Sequence, residues 1–317
     1  MAALNPLRRH AAPLAVPVSA SLTDSRRALA ERLADLAVDA LVDEAMLTPK
    51  PGLVDMRGSG AHDDLSWMLM CRSACALRPG FHAMALAGQA IAEPIRLRRR
   101  IGAIGRDAES AMMAVTGGVN THRGAIWALG LMVTAAARYD ITANATAHAV
   151  AADIARSAGM LARIDDPDAP SRTGNKGELA CAEHGVGGAR GQARAGFPAV
   201  VDIALPTLRR SRARGDAESR ARVHALLAVM ACLDDTCLLA RGGRRAMEIT
   251  QAGARHVLAL GGIGAPAGRR AFIALEARMR RLHVSPGGSA DLLAAALLLD
   301  RIESQQGRVF TPAQETE

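Results

Sequence analysis

What most restricts the fold of this chain is a rhythm. Apolar residues recur at helical spacing, as at Leu29, Leu33, Leu36 and Ala40, and Gly- or Pro-rich stops cut the pattern into helix-length pieces. No segment alternates apolar and polar residues as a half-buried strand does. Half of the residues are hydrophobic but only 2% are aromatic. The core must therefore be Ala, Leu, Val, Ile and Met, which suits close-packed helices better than sheets. The expectation is one all-α domain over 27–304, with ligand loops at helix ends. It is preceded by a disordered extension (1–26) and followed by a frayed tail (305–317). Helices are expected after a Thr23–Asp24 cap to about Met46, from near Asp63 to Leu77 with Pro79 and Gly80 as its stop, and over 81–114 with a break near Pro94. Others are expected over 142–161, 198–212, 216–232, 244–260 and 266–281, and from SPGGSADLL to about Ser304. Asp165–Glu178 reads as a mobile loop.

The net charge is +8. The basic residues are scattered and aromatic stacking platforms are nearly absent, so a phosphorylated small molecule fits better than nucleic acid. Five cysteines without paired CxxC units argue against a disulfide scaffold or zinc ribbon. Pro13 and Pro17 interrupt the weakly apolar N-terminus, against a secretory signal, and no stretch has the uninterrupted apolar length of a membrane span. A cytoplasmic protein is expected, and the broad apolar content makes a homodimer reasonable.

The densest segment is EAMLTPKPGLVDMRGSGAHDD, residues 44–64. Lys50 sits between Pro49 and Pro51, whose rings fix their own φ and bias the preceding residue away from helix. Gly52 restores freedom. Of 39 basic residues only Lys50 and Lys176 are lysines, so a lysine in this stiff loop invites a reason. Glu44, Asp55, Asp63 and Asp64 flank it. Both a solvated turn and a binding site fit this spacing.

Three glycine-rich turns lead into helices: Thr116–Asn120, Gly185–Gly196 and Ser285–Ser289. Unpaired N–H groups at helix starts attract phosphate, and Gly117, Gly118, Asn120, Gly287, Gly288 and Ser289 are the candidates, with Arg123 and Arg190 nearby. Neither a Walker A pattern nor a strand-linked GxGxxG is present. The acidic candidates are Glu44, Asp55, the Asp63–Asp64 pair, the Asp234–Asp235 pair and Asp291. Paired carboxylates among apolar neighbours, as in ACLDDTCLL, call for a cation, and Mg²⁺ with phosphate oxygens is a natural one. A helix cap with an arginine partner fits equally. His62 and His122 are acid–base candidates or structural hydrogen-bonding residues.

Seven ordered motifs then carry a resemblance: EAMLTPKPGLVD, SGAHDD, ALRPGF, TGGVNTHRGAIWALGL, GARGQARAGFP, DDTCLLARGG and SPGGSADLL. From about residue 27 to 304 the chain resembles the triphosphoribosyl-dephospho-coenzyme A synthase family. The resemblance implies an all-α fold with ATP and 3′-dephospho-coenzyme A as substrates. The ribose 2′-hydroxyl of dephospho-coenzyme A attacks the anomeric carbon of ATP's ribose, and adenine leaves. The product is the prosthetic-group precursor of the malonate decarboxylase or citrate lyase acyl carrier protein, and composition leans towards the malonate type. A phosphoribosyl-dephospho-coenzyme A transferase is the implied next partner. For this chemistry, Asp55 or Asp235 is assigned as base or oxocarbenium stabiliser and His122 as donor to adenine. Lys50, Arg123 and Arg190 would hold phosphates, with Mg²⁺ on Glu44, Asp234 and Asp235. The family often has an aromatic residue or His before the RGG of 241–243, where this chain has Ala240. Two other readings compete: a Mg²⁺-dependent hydrolase of ADP-ribose-type glycosides, told apart by indifference to dephospho-coenzyme A, and a helical carrier-protein adaptor without catalysis.

Overall fold

The computed structural model describes residues 18–139, 150–170 and 173–309. Among these the fold is all-α, as expected, with a single isolated bridge between Asp55 and Gly58 and no strand. The helices are α1 (Val18–Met46), α2 (Trp67–Ala76), α3 (Arg78–Ala90), α4 (Pro94–Thr116), α5 (Arg123–Ala137), α6 (Val150–Arg163), α7 (Lys176–His184), α8 (Gly188–Arg194), α9 (Leu205–Ala213), α10 (Glu218–Met230), α11 (Thr236–Ala259), α12 (Pro266–Arg281) and α13 (Gly287–Val309). A π-helical turn, Ala199–Ala204, leads into α9. No helix among the described residues is long and apolar enough to cross a membrane.

α5 and the first half of α13 are the innermost elements. Ala125–Ala137 and Leu292–Leu299 are buried on almost every side, as a helix apolar all round must be. α1, α3 and α6 pack around them. Small residues set how closely the helices approach: a Cβ at Gly88 would lie 2.6 Å from Thr134 O, and one at Gly130 would lie 2.5 Å from Met84 Sδ. With only Phe81, Phe197 and Phe272 as buried aromatics among the described residues, the core gains contact from backbone proximity.

Several boundaries differ from the expected ones. α1 starts at Val18, so Asp24 lies inside it. α2 starts at Trp67 because Ser66 Oγ accepts the Leu69 N–H at 3.2 Å, a better cap than the aspartates before it. Pro79 and Gly80 open α3 rather than stopping α2, since proline fits the first helical turn, where its missing N–H costs nothing. DDTCLLARGG is helical from Thr236, and Gly243, with φ of 64°, kinks α11 instead of interrupting it. The glycine-dense 185–198 contains α8, and α13 continues past Ser304 to Val309. Residues 1–17, 140–149, 171–172 and 310–317, which include parts of the expected extension, of one expected helix, of the expected mobile loop and of the tail, lie outside the described residues.

Candidate active site

The TPKPG loop is folded against the protein. Gly52 adopts φ of 72°, and a Cβ there would lie 2.7 Å from Val284 O, so glycine alone suits both the conformation and the approach. Lys50 is 2% exposed. Its Nζ donates to Glu44 Oε1 at 2.6 Å and to the Glu44 carbonyl at 2.5 Å. The expected phosphate cation is thus a buried ion pair fastening the loop to the end of α1. Asp55 accepts the Lys50 N–H at 2.9 Å and is gripped by Arg57 through Nε at 2.9 Å and Nη2 at 2.6 Å. Arg57 extends this network to Glu276. Asp55 is 2% exposed and does not line the large cavity described next. Its acceptor positions are filled by the loop it braces, so it is not the base.

A cavity of ≈1430 Å³ opens where α1, α4, α5, α7, α8, α11 and α13 converge. This exceeds the roughly 300–1,000 Å³ of sites for one drug-sized ligand. Among the described residues, eight buried side-chain polar atoms lack a partner; four belong to residues lining this cavity, namely Arg98 Nε, His122 Nε2, Trp127 Nε1 and Ser285 Oγ. Buried polar groups are rarely left unpaired without a reason, and a polar ligand supplies one. Arg98 Cζ lies 5.0 Å from the Trp127 ring centroid, and Asp166 draws in Arg106 at 2.8 Å and Arg98 at 3.7 Å.

Asp235 is 1% exposed at the cavity's edge. Its Oδ1 caps α11 by accepting the Cys237 N–H at 2.9 Å, and also accepts the Gly288 N–H at 3.2 Å. Its Oδ2 accepts the Ser289 N–H at 2.8 Å and lies 2.9 Å from the Ser289 hydroxyl. A carboxylate has about four acceptor positions, and all are taken. Burial still pushes its pKa up, against these hydrogen bonds. Asp235 therefore joins two helix starts and is not free to act as base or metal ligand. The same bonds overturn the expected cradle at Gly287, Gly288 and Ser289: the N–H groups of Gly288 and Ser289 are spent on Asp235, and Gly287 packs on Cys237.

The expected metal set does not assemble. Glu44 is paired with Lys50, Asp235 is saturated and Asp234 is exposed. Among the described residues no three His, Cys, Asp or Glu side chains are placed to hold a metal. These residues do not fit a resident Mg²⁺.

In the 116–124 segment, Gly117 closes α4 in the left-handed region with φ of 67° and lies outside the cavity lining. Gly118, Asn120 and Arg123 line it. Asn120 Oδ1 accepts the Arg123 N–H at 3.2 Å, and Arg123 Nε donates to Glu109 at 2.6 Å, so this arginine already has an anion. His122 is 2% exposed, with Nδ1 2.9 Å from Ser73 Oγ. Burial, and then the charge of Lys50, pull its pKa down to about 3. It is a neutral imidazole, suited to offering a hydrogen bond rather than carrying a proton as an acid. His62 stands at the rim, 3.0 Å from Arg241 Nη2; burial and Arg241 lower its pKa to about 4. Ala240 also lines the cavity, so the family departure falls inside the site.

Arg190, expected to hold phosphate, lines the cavity, and so do two groups outside the assigned set, Lys176 and Asp291. Lys176 opens α7 behind the Asn175 cap, and Arg190 sits on α8 across from it. Both are exposed and form no ion pair among the described residues. The rarity of lysine was a usable signal for Lys176 as well as for Lys50. Asp291 lines the interior end, with its side chain against Gly124, where a Cβ would come within 2.1 Å of Oδ2. The Ala125 N–H stabilises its charge, but burial and the nearby Glu44 and Asp235 push its pKa well up. It stands two residues after Ser289, inside the last motif.

The fold and site define an all-α protein whose helix starts meet at one large cavity with cations at the mouth and carboxylates inside. A family model described as ATP:dephospho-CoA triphosphoribosyl transferase matches residues 30–310, and the chain belongs to that family. A protein of Azotobacter vinelandii is 53% identical over 286 residues, covering 90% of this chain and 96% of the relative. One of Pseudomonas fluorescens (strain Pf0-1) is 54% identical over 276 residues, covering 87% and 93%. Both are named as a probable 2-(5''-triphosphoribosyl)-3'-dephosphocoenzyme-A synthase. No solved structure matches the chain.

Proposed function

We propose that this chain transfers the 5-triphosphoribosyl group of ATP to the ribose 2′-hydroxyl of 3′-dephospho-coenzyme A and releases adenine. Family membership over residues 30–310 carries this reading. The cavity supports it, with volume for two large substrates. A β-N-glycoside becomes an α-O-glycoside, so one inverting displacement through an oxocarbenium-like transition state is the simplest path. Lys176 and Arg190 at the mouth would take the triphosphate. The neutral His122 would orient adenine through Nε2. Asp235 would hold the starts of α11 and α13 in register beneath the reacting centre. Mg²⁺ has no resident site in this reading and would arrive on the triphosphate.

The product would serve a malonate decarboxylase-type acyl carrier protein through a phosphoribosyl-dephospho-coenzyme A transferase. A cytoplasmic location and a homodimer belong to the same proposal. Incubation with ATP, Mg²⁺ and dephospho-coenzyme A, read by mass spectrometry, tests the reaction. Adenine with a triphosphoribosyl adduct is the expected outcome. ADP or AMP as the only nucleotide product rejects it, and adenine release without dephospho-coenzyme A would favour a hydrolase.

A further inference from the structure

We infer that Asp291 is the proton acceptor for the attacking hydroxyl, the catalytic base that sequence reasoning placed at Asp55 or Asp235. The inference rests on the transfer reaction proposed above. It starts from what occupies each other carboxylate at the cavity. Glu44 Oε1 is held by Lys50 Nζ at 2.6 Å, Glu109 by Arg123, and Asp166 by Arg106 at 2.8 Å with Arg98 beyond, while Glu178 accepts the Thr173 N–H at 2.8 Å, the Thr173 hydroxyl and the Gly174 N–H at 3.1 Å. Asp235 has its four donors. Asp64 and Asp234 are exposed to water. Among the described residues Asp291 is the interior cavity carboxylate with neither a cation nor a side-chain donor.

Its position is built. α13 starts at Gly287, and Asp235 fixes that start through Gly288 and Ser289. Asp291 therefore rides on an anchored turn rather than a loose loop. It packs over Gly124, where any side chain would displace it. A neighbour gives a second, independent sign of a ligand: His122, just before Gly124, is 2% exposed and leaves Nε2 without a partner in the same cavity. The titratable groups that act on Asp291 are Glu44 from α1 and Asp235 and Cys237 from the start of α11, while His122 and Arg123 precede the Gly124 on which it packs at the start of α5. Burial, and after it Glu44 and Asp235, raise its proton affinity, which suits a base, because an ion-paired carboxylate is a poor one.

In the step assigned here, the O2′–H bond breaks and its proton passes to the Asp291 carboxylate. The O2′–C1″ bond forms while the C1″–N9 bond of ATP breaks, leaving its electron pair on adenine. The proton is then passed to the departing base. Adenine leaves neutral, and Asp291 returns to a carboxylate.

The test compares wild type, D291N and D291E in the complete assay, with adenine release followed across pH and ATP affinity measured by calorimetry. Asn preserves volume and can accept the Ala125 N–H. D291N is expected to fold and bind ATP but lose about 10²–10⁴-fold in kcat, as expected for loss of a general base. It should also lose the acidic limb of the wild-type profile, and D291E should recover part of kcat with a displaced limb. Turnover by D291N near the wild-type level, with the acidic limb intact, overturns the assignment. Should D291N fail to bind ATP, an unshifted limb in D291E overturns it equally. Wild type that releases no adenine overturns the transfer reaction, and this assignment with it.

Discussion

Lys50 Nζ lies 2.6 Å from Glu44 Oε1, with both side chains almost sealed from water at 2% and 5% exposure. The pair faces the cavity wall, but its charges are spent on each other. Its role is to tie the Pro-rich loop to α1, and the lysine charge adds to the burial that lowers the pKa of His122.

Replacing Lys50 with methionine leaves Glu44 charged and unpaired in the interior. Breaking such a pair costs about 3–5 kcal/mol, whereas removing both charges is close to neutral. K50M is expected to show that loss in denaturant unfolding, and K50M/E44Q to recover most of it. A K50M protein as stable as wild type would place the lysine in solvent.

Asp235→Asn removes acceptors that four donors share. The expected cost is about 1–3 kcal/mol, the penalty for leaving a buried donor unmet, read as a lower denaturation midpoint. Mg²⁺ without nucleotide should stabilise wild type and D235N equally. A larger Mg²⁺ effect on wild type would return Asp235 to the metal ligands.

The helices were legible because their apolar spacing is local. The all-α class and the stop after Met46 follow from period and punctuation alone. The position of α2 was not, because Ser66 competed with Asp63 and Asp64 for the cap and only geometry separates them. The ordered motifs converge in space, since Lys50, His122, Arg190 and Asp235 all line one cavity. Roles were another matter. A conspicuous lysine or aspartate looks the same in sequence whether its partner is a substrate or a residue far along the chain. Asp235 meets Ser289 across 54 positions, and Arg57 meets Glu276 across 219. Those partners separate a structural carboxylate from an available one such as Asp291.

His122 should leave a mark on acid stability. Its pKa drops from 6.5 to about 3 on folding, so the unfolded chain binds the extra proton. The destabilisation is absent above the unfolded pKa and grows as pH falls through the window from about 6.5 to 3, by up to about 1.4 kcal/mol per pH unit. Asp235 and Asp291, with raised folded pKa values, act oppositely: their folded forms hold protons more tightly, and stability falls as pH rises through those values. The diagnostic quantity is therefore a difference. H122Q is expected to lose less stability than wild type between pH 6.5 and 4 in thermal melts. Equal slopes would mean the imidazole is solvated.

Lys176 and Arg190 provide the converse of Lys50. Both are exposed at the mouth, so truncation removes little packing and leaves no buried charge behind. K176A and R190A should each melt near wild type. Charge-assisted hydrogen bonds are worth about 1.5–3 kcal/mol, so each variant is expected to bind ATP at least about tenfold more weakly by calorimetry, about 1.4 kcal/mol. Exposed charges are screened by salt, so the wild-type advantage should shrink as ionic strength rises. Arg190 also lies close enough to Arg98 to disfavour its charge, and a triphosphate between them would relieve that repulsion. The two truncations together should then weaken ATP binding more than dephospho-coenzyme A binding. Equal losses for both substrates would move the triphosphate elsewhere in the cavity.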